Sequence, residues 1–186
     1  MDYVLRLKEV PRTGWNKKFP KGGLYKSRSV KNAESVADHS YSTAMLVLFL
    51  GTHLKLDCAK AVEMALIHDL MEAVTGDMAT LSLPPSKRTK AIEAKRVEEL
   101  AVIKDLAALG GYGKRIATLW RELDVSQSRE AKMVLQLDKL EMDFQAVWYA
   151  QQGHKLDAAE FIESTKGIVQ HPKLKALVRR LEALKF

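Results

Sequence analysis

The sequence has little of what would point away from a soluble helical core. Its single cysteine, Cys58, excludes a disulfide scaffold and a thiolate zinc cage, and it suits a reducing compartment. Five prolines and ten glycines in 186 residues exclude collagen-like and low-complexity chains. No apolar run approaches the ~18 residues needed to cross a bilayer. The opening MDYVLRLKEV lacks the apolar stretch of a secretory signal, so a cytoplasmic location is expected. Alternation of strand type, internal repeats and linkers are also missing. What is present is 47% apolar and 28% charged, which excludes disorder. One domain over residues 1–186 is expected, large enough to bury its own core.

Charge is unevenly placed. The formal net charge is +7. Residues 1–31 hold nine Lys and Arg side chains (among them Arg12, Lys26 and Arg28) against Asp2 and Glu9, so the whole surplus lies there and the other 155 residues balance. A basic arm implies an anionic partner (nucleic acid, anionic lipid or a phosphorylated small molecule) or else a solvated loop.

Pro11, Gly14, Pro20, Gly22 and Gly23 mark the arm as irregular from Pro11 to about Lys31. Helical periodicity follows almost to the end. It predicts helices over about 34–56, 57–74 (with Asp57 as cap), 87–109 (with Ser86 as cap after Pro84-Pro85), 113–123, a long one opened by Ser126 or Ser128 and reaching about 152, 157–168 and 172–185. The last two, within residues 154–186, complete an all-α bundle.

Ionisable groups interrupt three of the most apolar segments: Asp38-His39, His68-Asp69 followed by Glu72 and Asp77, and Asp138 within MVLQLDKLEM. An unpaired charge buried in a helix costs several kcal/mol, so each group must be paired, solvated or bound to metal. Two imidazoles and two carboxylates form a mixed N/O set of charge −2. Such a set fits Mn, Fe, Co, Ni or Zn better than the all-oxygen shells of Mg or Ca. A cation with open positions can activate water for hydrolysis. His53, His154 and His171 read as surface or helix-end residues, which argues against a second metal.

At these residues the chain resembles the HD-domain metal-dependent phosphohydrolases, with their H…HD…D pattern on a helical bundle. It is most similar to their 5′-deoxynucleotidase branch. PRTGW (11–15), ESVADHS (34–40), HDLMEAVTGD (68–77) and LDKLEM (137–142) carry the resemblance over about residues 3–150. It implies His39, His68, Asp69 and Asp138 as ligands of one divalent transition metal, and Glu72 as the group that orients or deprotonates the attacking water. It further implies Asp77 and Thr80 at the substrate, Arg12 on the 5′-phosphate, Trp15 against sugar or base, and a homodimer. Two features depart from the bacterial type: Thr13-Gly14 separates Arg12 from Trp15, and the loop after Asp77 is longer.

The residues leave alternatives open. Trp15 alternatively anchors the arm, Asp77 closes a turn, Glu72 supports a ligand histidine, and Asp138 pairs with Lys139. The expected activity is hydrolysis of (deoxy)ribonucleoside 5′-monophosphates to nucleoside and phosphate. The alternatives are a nucleoside triphosphohydrolase, a cyclic-nucleotide phosphodiesterase, or a nucleotide-sensing or nucleic-acid-binding module. The shortness of the arm and its run into the HD residues make nucleic acid the weaker choice.

Overall fold

Caps and breakers decide where each helix begins. The computed structural model describes residues 2–18, 26–78 and 83–184. Its first element, α1 (Asp2–Leu7), leads into a single 3-10 turn at Thr13–Trp15. α1 precedes the stretch that the sequence marks as irregular from Pro11, and the described part of that stretch holds only this turn and two bridge positions. The next helix, α2 (Val36–Leu50), opens on Ser35, whose hydroxyl accepts from the Asp38 amide while the Asp38 carboxylate accepts from the Ser35 amide. Asp38 is thus a cap, and only His39 of that pair turns inward.

Asp57 caps α3 (Cys58–Ile67), as the sequence predicts, but the helix does not run on to Val74. It stops at His68, and α4 (Glu72–Thr75) forms after a break. Across the break the amides of Leu70, Glu72, Ala73 and Val74 reach back three residues instead of four. This tightening turns the His-Asp pair relative to both helices, and such stretches inside a helical segment often mark functional positions.

The long helix α5 (Pro85–Ala108) starts at Pro85 itself, so Ser86 is not its cap. Proline at the first helical position has no amide to waste and a preset φ. The bundle is completed by α6 (Gly111–Asp124), α7 (Arg129–Gln151, capped by Ser128), α8 (Ala158–Lys166, capped by Asp157) and α9 (Pro172–Glu182). No strand forms among the described residues. Two isolated bridges, Pro11 with Ser35 and Ser29 with Lys155, fasten the arm at either end.

Helix α2 is apolar on nearly every side, and it packs against α3 and α7. Val36 and Val47 of α2, Ala61 and Met64 of α3, and Leu137 and Leu140 of α7 are fully buried there. Helices α8 and α9 cover the far side of α7, and α5 and α6 pack together beside α3 and α4. Among the described residues no helix is long and apolar enough to cross a membrane.

Candidate active site

Helices α2 and α7 and the break between α3 and α4 bring His39, His68, Asp69 and Asp138 together. His39 Nε2 lies 3.0 Å from Asp138 Oδ1, 3.3 Å from His68 Nε2 and 3.9 Å from Asp69 Oδ2. His68 Nε2 lies 3.3 Å from Asp69 Oδ2 and 4.0 Å from Asp138 Oδ1. Two donors about 2.1 Å from one ion are about 3.0 Å apart at a right angle and about 4.2 Å apart on opposite sides. These five separations fall within those limits, so His39 and His68 with either carboxylate fit a single divalent ion.

The remaining ring nitrogens are fixed as a metal site requires. His68 Nδ1 donates to the Ala65 carbonyl at 2.7 Å, which turns the Nε2 lone pair to the cluster. His39 Nδ1 is 2.6 Å from Glu141 Oε2, a buried carboxylate one turn beyond Asp138 on α7. Sequence reasoning quoted LDKLEM but gave Glu141 no role. The signal was its i, i+3 spacing from Asp138, which puts both carboxylates on the face that His39 meets.

The electrostatics are those of cations crowded among acids. Burial alone would lower the pKa of His39, but hydrogen bonds to Asp138 and Glu141 outweigh it and raise the value to about 10. Burial would raise Asp69, yet His68, Arg12 and His39 hold it below the usual carboxylate range. Asp138 is likewise held well below that range against its burial, chiefly by Lys139, whose Nζ lies 2.9 Å from Oδ2. Lys139 therefore takes the outer oxygen of Asp138 while the other faces His39.

The arm enters this cluster through two residues. Arg12 Nη1 meets Asp69 Oδ2 at 3.2 Å and Asp77 Oδ1 at 3.4 Å. The other oxygen of Asp77 accepts from the Thr13 amide and, at 2.8 Å, from its hydroxyl. Asp77 thus holds the 3-10 turn that presents Arg12, and Thr13, which sequence reasoning passed over, is its partner. Burial opposes the Arg12 charge, but Asp69, Asp77 and Asp138 raise its pKa further.

Trp15 does not face the cluster. It is 1% exposed, stacks on Phe161 at 4.7 Å, meets Tyr149 edge-on at 5.1 Å, and donates its indole N–H to Glu34 at 2.9 Å. Its surfaces are occupied by the bundle, so it anchors the arm, and the expected contact with sugar or base gives way to that role. Thr80 lies outside the described residues.

Glu72 is buried, and one of its oxygens accepts from Lys95 Nζ at 2.6 Å. Burial, then the charges of Asp69 and Asp77, push its pKa up to about 8 in spite of Lys95. A carboxyl that titrates near neutrality beside a metal-type cluster is placed to take a proton from water.

A family model described as "HD domain" matches residues 4–177. The chain belongs to the HD domain family. The 5′-deoxynucleotidase HDDC2 of Danio rerio is 36% identical over 183 residues, covering 97% of this chain and 84% of the relative. The human protein of the same name is 34% identical, with 97% and 81% covered. A protein of Pyrococcus horikoshii with a known crystal structure superposes with a TM-score of 0.70 at 31% identity, covering 98% of this chain and 96% of that one.

Proposed function

We propose that this HD domain protein, a single domain over residues 1–186, is a metal-dependent phosphomonoesterase. It removes the 5′-phosphate from (deoxy)ribonucleoside monophosphates and leaves nucleoside and orthophosphate. The observation that carries this reading is the convergence of two imidazole nitrogens 3.3 Å apart, each within 4.0 Å of an Asp69 and an Asp138 oxygen, next to a buried glutamate. The relatives named 5′-deoxynucleotidase, matched over nearly the whole chain, support the substrate class.

His39, His68, Asp69 and Asp138 would hold one divalent transition ion, which supplies a Lewis acid for phosphoryl oxygens and activates water at neutral pH. Glu72 orients the attacking water and takes its proton. Arg12 contributes a guanidinium of which, among the described residues, only Nη1 is engaged, so the rest of the fork is left for an equatorial phosphate oxygen. Asp77 and Thr13 keep Arg12 at that position. Holding water and phosphate in line is most of what such a transfer needs from protein groups.

The test is phosphate release from deoxy- and ribonucleoside monophosphates across Mn, Co, Ni, Zn and Mg, with chelator-treated protein as control. Release of nucleoside and phosphate that needs added metal is expected. Activity only on triphosphates or cyclic nucleotides would overturn the reading.

We also infer a cytoplasmic homodimer. Tyr41, Leu48 and Phe49 leave α2 exposed on one face, and residues 39–54 contain no Lys, Arg, Asp or Glu. An uncharged apolar face on a chain of net charge +7 suits a second copy meeting it about a two-fold axis. Sedimentation of wild type and Phe49→Glu checks it, with a shift to monomer expected in the variant.

A further inference from the structure

Glu72 is held by a helix too short to hold it well. α4 has four residues and no side-chain cap, and it follows directly on the break after His68. A glutamate with three rotatable bonds in such a place needs a second restraint to present one oxygen. That restraint comes from α5, where Lys95 Nζ binds Glu72 Oε1 at 2.6 Å and also approaches Glu99 Oε1 at 3.6 Å. Glu72 Oε2 is buried, with no partner among the described residues.

Burying this ion pair is not the economical way to dock α5 on α4. An apolar contact of similar size would serve packing as well or better, because both charges must be desolvated. Lys95 does not touch the four donor atoms, and the other cations of the site are engaged elsewhere, Arg12 with Asp69 and Asp77 and Lys139 with Asp138.

We propose that Lys95 is a positioning residue for hydrolysis: it fixes Glu72 through Oε1 so that Oε2 is the oxygen offered to the attacking water. This rests on the phosphomonoesterase reading and adds to it a residue from a helix that carries none of the motif. Lys95 itself contacts neither metal nor substrate; it acts through Glu72.

The experiment compares wild type, Lys95→Met, Lys95→Arg, Glu72→Gln and the double variant Lys95→Met/Glu72→Gln. Each is assayed on a deoxynucleoside monophosphate with saturating Mn, and its bound metal is counted after dialysis. Lys95→Met is expected to lose about 10- to 100-fold in kcat, as loss of an orienting partner does. KM should stay within about twofold and metal content should not change. Lys95→Arg should recover most of the loss, because it restores a cation to Oε1. The double variant should be no slower than Glu72→Gln alone, since both substitutions remove one unit of function.

Wild-type kcat in Lys95→Met, a loss confined to KM, or losses that multiply in the double variant would each overturn the proposal. A purely structural tie would lower the urea midpoint of Lys95→Met without this kinetic pattern. If wild type released no phosphate from any monophosphate, the functional reading would fall first and would be recognised by that result alone.

Discussion

Asp143 sits on α7 away from the candidate site and supports a quantitative forecast. It is wholly buried; Oδ1 accepts from the Thr165 hydroxyl at 2.9 Å, and Oδ2 has no partner among the described residues. Burial pushes its pKa from the ordinary 3.8 up to about 7, while the Thr165 hydrogen bond pulls weakly the other way. The folded state therefore holds a proton that the unfolded chain releases near pH 4. Stability from this group is full below about pH 4 and falls as pH rises to about 7, then stays level. Between pH 5 and pH 7 the slope approaches 1.4 kcal/mol per unit and fades as the group half titrates near pH 7, a loss of about 2 kcal/mol. Asp143→Asn removes the titration yet keeps an oxygen for Thr165. Urea unfolding of chelator-treated wild type and variant at pH 5, 6, 7 and 8 makes the comparison, and every other titrating group cancels between the two proteins. The variant's advantage should widen by about 2 kcal/mol from pH 5 to pH 7 and change little more by pH 8. For a chain of this size that is a midpoint shift of roughly 1 M urea. An advantage that did not change with pH, or that shrank, would refute the placement of an ionisable, water-excluded carboxyl between α7 and α8.

Further expectations follow from the site and the arm. Glu141→Gln should weaken divalent-metal affinity about 10- to 100-fold in competition with a chelating dye while the circular dichroism is unchanged. Because hydrogen bonds to Asp138 and Glu141 keep a proton on His39 up to about pH 10, that affinity should rise with pH by up to about tenfold per unit below that value, with proton release visible by calorimetry. Trp15→Ala should cost about 3–5 kcal/mol of stability in urea. Trp15→Phe should cost less, and its residual loss should vanish when Glu34→Leu removes the carboxylate it leaves without a donor.

The seven longer helices and most of the metal-type cluster were legible in the sequence because both depend on short-range signals, whereas the short α1 and the separate α4 were not. A cap such as Asp57 acts within three residues, and the His-Asp pair, weak by itself, gains weight from His39 and Asp138 in the same order. Two kinds of feature were not legible. The break after His68 depends on i, i+3 hydrogen bonds that periodicity cannot separate from a continuous helix, since Leu70, Met71 and Ala73 are buried on either reading. The partners Glu141, Lys95 and Thr13 are ordinary polar residues until a fold brings them to His39, Glu72 and Asp77. Trp15 shows the opposite case, where the motif drew attention to a residue whose contacts are all with the bundle.

Counting charges at the site explains why the arm belongs to it. Asp69, Glu72, Asp77, Asp138 and Glu141 bring five carboxylates, and Arg12, Lys95 and Lys139 return three positive charges. Counted fully ionised, with His39 neutral as a ligand, these groups leave two negative charges, which one divalent cation would neutralise. On the phosphatase reading an anionic substrate then gains nothing from net charge, so attraction has to come from where the cations point. Lys95 and Lys139 are turned onto Glu72 and Asp138, whereas Arg12 keeps part of its fork unengaged by the described residues. It stands on the arm, which is tied down by its own amide to the Glu34 carbonyl and by Thr13 to Asp77. Farther along, Lys26 pairs with Asp157 and Arg28 with Glu160 of α8, so these arm charges dock the segment and are not available to a ligand. Among these, Arg12 is the arm cation that meets the cluster, and it is the one that the phosphatase reading assigns to substrate.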